Sequence, residues 1–343
     1  MKIEKLILSA FLITFFNLCL LACSKDDDYH LEGPVEIEVI EKRDTIIYQE
    51  GDTIKYDENG DTLRYETKLD TIKYANKKQI ITDFDELSYD NILIENAFVM
   101  EKHVNNSFQG LAIHEDYLLQ TYHTKNYVDV YDLTNNKFVF SLIQKAEGTV
   151  HCNNADFGNF YEPTDPFPLL YLEHRGGNMK TSVYRIVNKT GAYELEKVQV
   201  ISFSACTSCF TNNNCGSSEM YITFRNETHP EDTISIAKID IPDFLAGNVN
   251  ISLESSLVKE KFDIVRNKTS QDATIYKNKL FQLKGGPGSG ELWIYDLIRH
   301  KTILTIDWNE VGMTGEPEGI GWYKDHLVIT NNSGQVYNMY FAK

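Results

Sequence analysis

The chain has 343 residues, a formal net charge of -17, 42% hydrophobic residues and 12% aromatic ones. An excess of 50 acidic over 33 basic residues repels phosphate backbones and anionic headgroups, which excludes nucleic acid as a natural partner and favours cations, neutral glycans or proteins. After the first residues nothing is apolar for the roughly 20 positions that a membrane-crossing helix needs.

The chain opens with a basic start, Lys2 and Lys5, and an apolar run from Leu6 to Leu21 that is short for a membrane span. This reads as a cleaved export signal over residues 1–22. The run ends in Leu20-Leu21-Ala22-Cys23, followed by Ser24-Lys25-Asp26-Asp27-Asp28. A small residue, a cysteine and a polar exit resemble the lipobox of a bacterial lipoprotein precursor, which implies lipidation of Cys23 as the first mature residue. Acyl chains then hold the protein at a membrane without a spanning segment. The run Asp26 to Asp28 is similar to the tag with which Bacteroidetes export lipoproteins to the outer face of the outer membrane, so the expected location is lipid-anchored and surface-exposed.

Residues 23–94 form the lipidated N-terminus and a spacer. One unit recurs there, in Asp44-Thr45-Ile46, Asp52-Thr53-Ile54, Asp61-Thr62-Leu63 and Asp70-Thr71-Ile72, each followed by a polar or apolar residue and a tyrosine. Each copy alternates β-formers with polar residues and lacks the apolar bulk for a core, which predicts an extended segment or thin β-ribbon. The Asp-Thr-Ile/Leu pattern also resembles the Bacteroidetes O-glycosylation acceptor, making Thr45, Thr53, Thr62 and Thr71 candidates, with Thr233 as one copy in the main domain.

Residues 95–343 are long enough for one large domain, and they repeat. Gly110-Leu111-Ala112-Ile113 to Thr121 aligns with Gly319-Ile320-Gly321-Trp322 to Thr330, and Val130-Tyr131-Asp132-Leu133 aligns with Ile294-Tyr295-Asp296-Leu297. Weaker copies of the second strand lie around Arg185 and Asp240. A period near 50 residues, rich in short β-type segments and turns, predicts an all-β fold, a β-propeller of five blades. Six blades or a two-sheet sandwich are the alternatives. The five units begin near Gln109, Asn154, Gly216, Asp272 and Glu318, and the last lacks a fourth strand, so Ala97 to His103 is expected to close the ring.

Propeller blades turn their innermost strands towards a central funnel. The unit starts are polar and carry small neighbours: Gln109 before Gly110, Asn154 and Asp156 around Ala155, Gln271 and Asp272 before Ala273, Glu316 and Glu318 before Gly319. Carboxylate and amide oxygens there suit calcium or sugar hydroxyls, or serve only to satisfy inner-strand backbone groups. His123 and His151 are candidate catalytic residues beside them. Cys152, Cys206, Cys209 and Cys215 suggest disulfides outside the cytoplasm, with Cys152 paired to one of the clustered three; zinc held by His151 or Cys152 with Cys206 and Cys209 is the alternative. The segment around Cys206 and Cys209 reads as a Ser/Asn-rich loop. Trp322 and exposed tyrosines are candidates for stacking on sugar rings, and Gly285 to Gly290 lacks the Lys-Ser or Lys-Thr of a phosphate loop.

With Leu20 to Asp28, the Asp-Thr-Ile repeats and the starts Gln109-Gly110-Leu111-Ala112-Ile113 and Glu316-Pro317-Glu318-Gly319-Ile320, the chain resembles surface-exposed propeller lipoproteins of Bacteroidetes. The starts are also similar to those of lactonase-like and phage or cell-wall receptor propellers. The resemblance implies a cell-surface protein that binds glycan or protein ligands, with a structural calcium. The alternative is a metal-assisted hydrolase or lyase that acts on a glycan or lactone through funnel carboxylates.

Overall fold

In the computed structural model the described residues are 84–102, 106–124, 126–143, 151–174, 180–203, 206–213, 218–226, 233–252, 254–265 and 270–342. The export signal, Cys23, the spacer and Thr45, Thr53, Thr62 and Thr71 lie outside them. After a 3-10 turn at Tyr89–Asn91, strand β1 (Ile92–Val99) precedes twenty further strands among the described residues. Blade one contains β2 (Phe108–His114), β3 (Tyr117–Tyr122), β4 (Tyr127–Asp132) and β5 (Lys137–Ile143); blade two contains β6 (Ala155–Phe157), β7 (Leu170–His174), β8 (Lys180–Lys189) and β9 (Ala192–Phe203). Blade three is built from β10 (Cys206–Asn213), β11 (Glu219–Asn226), β12 (Thr233–Asp240) and, past β13 (Val249–Ile251), β14 (Val258–Val265). Blade four holds β15 (Ser270–Tyr276), β16 (Lys279–Lys284), β17 (Glu291–Asp296) and β18 (Lys301–Asp307). Blade five holds β19 (Pro317–Tyr323), β20 (His326–Asn331) and β21 (Gln335–Phe341), with β1 as its outer strand.

The five sheets are the blades of a propeller. One apolar cluster fills each of the five seams between consecutive blades. Leu119, Val128 and Leu142 pack on Leu170, Leu172 and Ile186 between blades one and two, and Leu111, Leu118 and Tyr131 pack on Val328 and Val336 between blades one and five. The remaining seams join blades two and three, three and four, and four and five in the same manner. Because the last seam returns to the first blade, the ring closes and only short outer edges remain open.

The internal repeat is a repeat of geometry. At the hairpins after β2, β15 and β19, Glu115, Lys277 and Lys324 adopt φ values of 50, 48 and 51°, the left-handed turn conformation. After β4 and β17, Asp132 Oδ1 accepts from the N–H of Thr134 and Asn135, and Asp296 Oδ1 accepts from those of Ile298 and Arg299. These matching Asx turns follow from the Tyr-Asp-Leu copies, because a short acidic side chain caps the turn in each.

Ring closure follows the expected logic with a different segment. β1 runs antiparallel to β21, from Ile92 opposite Phe341 to Val99 opposite Gln335. The closing strand therefore lies over Ile92–Val99 rather than Ala97 to His103; Ile92 and Ile94 pack on the seam and Leu93 is buried, whereas the Glu101-Lys102-His103 end is polar. Blade three also departs from expectation. Its innermost strand is β10, so the unit starts near Cys206 and not Gly216, and the Cys206 to Cys209 segment is a strand, not a loop. Its Ser/Asn-rich composition hides a strand that the ring itself stabilises on both sides. Between β12 and β14 the chain crosses to blade two, where β13 pairs in parallel with the end of β9. Thr233 opens β12 opposite Val265.

The preceding segment docks at the end of the ring where β15 and β19 finish. Phe84 is 1% exposed and meets Tyr276, Phe281, Trp322 and Phe341 edge-on. Asp85 forms ion pairs with Lys279 and Arg299. Trp322 stacks on Tyr276 at 3.9 Å and donates its ring N–H to Lys324 O, so it is a packing residue beneath Phe84 and not the expected sugar platform.

His174, at the end of β7, links this fold to acid. Burial, with the charges of Lys180 and Lys197, lowers it from 6.5 to about 4. The unfolded chain takes up the proton first, so the stability that neutral His174 contributes is complete above pH 6.5 and is lost as the pH falls towards 4. That window is worth about 3 kcal/mol. Urea midpoints at pH 7.5 and 4.5 are expected to differ less in His174→Gln than in the parent; an equal drop in both would show that other groups carry the acid sensitivity.

Candidate functional site

The starts of the innermost strands are tied together by one carboxylate. Asp272, fully buried at the head of β15, accepts from the backbone N–H of Leu111 and Ile320 through Oδ2, each at 2.9 Å. Its Oδ1 accepts from Asn154 Nδ2 at 2.6 Å and from Ala273 N at 2.9 Å. Four blades thus begin at one end of the axis. Burial pushes the Asp272 carboxyl well above its ordinary value, and the four N–H donors oppose this. All four partners are donors, which is the partner set of a carboxylate. Small residues permit the approach: a Cβ on Gly110 would stand 2.6 Å from Asn153 O, and one on Gly319 would stand 2.9 Å from Gln109 O. Asn154 and Asp272 are buried and bonded between strands at this level, which makes them structural ties.

One residue nearer the open end lies a second layer. Gln271 Nε2 donates to Gly285 O and to Glu316 Oε1, each at 3.1 Å, while its Oε1 accepts from Asn153 Nδ2 at 3.1 Å. Gln109 donates to Phe108 O, and its Oε1 stands 2.8 Å from His151 Nε2, which fixes that ring nitrogen as the donor. The His123 and His151 rings lie 4.1 Å apart. Burial raises the Glu316 carboxyl, and the nearby His123 and the Gln271 amide pull it back. Gln109, Asn153 and Gln271 are buried, His151 and Glu316 half-buried and His123 exposed, so the cluster forms a mouth with an amide floor and an ionisable rim.

Of the residues picked out from sequence, Gln109, His123, His151, Gln271 and Glu316 meet here. Asp156 lies on β6, half-buried, where its carboxyl accepts from Phe157 N; burial raises Tyr171, and the Asp156 charge adds to this. Glu318 is buried on β19 at the register shift between Pro317 and Gly319. Asn153 was missed. Aligning Asn153-Asn154 with Gln109-Gly110 and Gln271-Asp272 would have found it, because the first member of each pair belongs to the floor and the second to the tie.

The cysteine expectation is corrected at one position. Cys152 is a buried free thiol whose Sγ donates to Asn154 O at 3.6 Å, not half of a disulfide. Burial raises it well above the usual thiol value, with the charge of Glu173 adding to the effect. Cys215 lies outside the described residues, and the strand that holds Cys206 and Cys209 is described through its backbone. Among the described residues no group of three or more His, Cys, Asp or Glu is arranged to hold a metal ion, so the expected calcium gains no ligand set from them.

No protein-family model matches the chain, and no curated protein matches it. Among solved structures, the Myxococcus xanthus glutaminyl cyclase is 9% identical, with 73% of this chain and 97% of that one covered at a TM-score of 0.46. The PQQ-bound aldose sugar dehydrogenase from Streptomyces coelicolor is likewise 9% identical, with 73% and 98% covered at 0.46. A luciferin-regenerating enzyme is 6% identical, with 72% and 95% covered at 0.41. At these TM-scores none of the three carries an argument about the chemistry of this chain, and the propeller assignment rests on its own strand order.

Proposed function

We propose that this chain is a lipoprotein anchored through Cys23 to the outer membrane, exposed at the cell surface, whose propeller binds a polar glycan or protein ligand at the mouth of its axis. One observation carries the binding reading: side chains from blade one (Gln109, His123), the lead into blade two (His151, Asn153), blade four (Gln271) and the lead into blade five (Glu316) converge, with Gln109 bonded to His151, Gln271 bonded to Asn153 and Glu316, and His123 against the His151 ring and within electrostatic reach of Glu316. Converging amides and a few ionisable groups are what orients a polar ligand. Cleavage by a carboxylate acid and base pair is less well supported, since the hydrogen-bonded mouth cluster contains a single carboxylate, Glu316, and Asp272 has all its bonds filled.

The test is a glycan and peptide panel offered to the soluble chain starting after Asp28. Binding that drops at least tenfold in both His123→Ala and Gln271→Ala, with unchanged melting, supports the mouth as the site. Ligands held equally by the parent and both variants would move binding elsewhere.

A further inference from the structure

The hydrogen bonds of the mouth have a direction, and it points to one ligand chemistry. Gly285 O can only accept, so the Gln271 amide must turn both N–H groups to Gly285 O and Glu316 and its oxygen to Asn153. The Asn153 carboxamide is fixed in turn. Its Nδ2 faces Gln271, and its Oδ1, on a side chain 2% exposed, is buried and takes no hydrogen bond. Glu316 receives its bond on Oε1, and Oε2 takes none among the described residues. The floor and rim therefore end in acceptors on one connected chain of groups, and what the site lacks is a donor.

A neutral hydroxyl would supply a donor, but charge decides against it. Glu316 is already half-buried, and a ligand seated over the mouth strips away more of its water. A carboxylate buried without a countercharge is strongly disfavoured, whereas one facing a cation is compensated. The chain as a whole has 33 basic against 50 acidic residues, and its negative field draws cations inward. The nearest ionisable groups facing Glu316 are His123 and, beyond it, His151, whose Nε2 is committed to Gln109.

We infer that the ligand presents a protonated primary amine to Glu316, on a neutral polar carrier whose remaining donors reach the amide floor. This rests on the mouth being the binding site. The carrier is an amino sugar or the free amino end of a peptide, and the shared chemistry is the ammonium group.

The experiment uses matched pairs at pH 7, where α-amino groups are as a rule mostly protonated: glucosamine against N-acetylglucosamine, and a dipeptide amide with a free against an acetylated amino end. Titration calorimetry is expected to give at least tenfold tighter binding of the free amine in one pair, and the pair that responds names the carrier. Glu316→Gln, which keeps the acceptor for Gln271 while removing the charge, is expected to abolish the preference, and 0.5 M salt to weaken it. A thermal melt of the variant guards against misfolding. If His123→Ala weakens binding while free and acetylated ligands bind alike, the amine inference falls and the mouth remains the site. If nothing that binds responds to any mouth variant, both fall.

Discussion

Asp272→Ala is expected to cost about 5 kcal/mol or more of unfolding free energy, because it orphans buried N–H groups on three innermost strands at about 1–3 kcal/mol each. Leu111, Ile320 and Ala273 each donate a backbone N–H to this one side chain, and Asn154 donates its amide. Asp272 is 0% exposed, so its removal leaves these donors facing a buried cavity rather than solvent. Asp272→Asn separates shape from charge. It fills the same volume but must turn an N–H towards two N–H groups on one side or the other, and it should cost about 2–4 kcal/mol. Guanidinium unfolding of the two variants gives the comparison; midpoints within error of the parent would mean that the axis is held by the seams alone.

A chain beginning at Met100 is expected to lose the folded monomer altogether. It lacks β1, the outer strand of blade five, and with it the docking of Phe84 and Leu87. Burial of Phe84, Leu87 and Leu93 stabilises by roughly 1.5–3 kcal/mol each, and together they approach the 5–15 kcal/mol of a typical domain. The exposed edge of β21 then becomes a template for pairing with another copy. Size-exclusion chromatography should show aggregate or dimer, and adding a peptide spanning residues 84–99 should recover monomer. A shortened chain that elutes as a monomer and unfolds at the parental midpoint would contradict the closure described above.

Much of this architecture was legible in the sequence because its turns are written in residues that do one thing. The Tyr-Asp-Leu copies at 131–133 and 295–297 give the same Asx turn, and the Gly-Leu and Gly-Ile starts at 110 and 319 stand where a Cβ cannot fit. The five-blade reading and closure from the N-terminal side follow from these. Blade three was obscured because Cys206–Asn213 has no such start, and its strand character comes from neighbours that a linear pattern does not contain. The site was legible at the level of residue type and not of depth. Gln271 and Asp272 are adjacent, yet one lines the mouth and the other locks the axis, and only the three-dimensional register separates them. Trp322 misled for a related reason: the residue that covers it, Phe84, lies far away in sequence.

The position of Phe84 has one more geometric consequence. Its partners Tyr276 and Trp322 close β15 and β19 at the far rim, whereas Gln271 and Glu316 lie at the heads of those same strands. Phe84 therefore seals one rim of the propeller, and the ionisable groups of the mouth belong to the opposite one, so that a change of charge at the mouth and a change of packing under Phe84 act on separate ends of the same two strands.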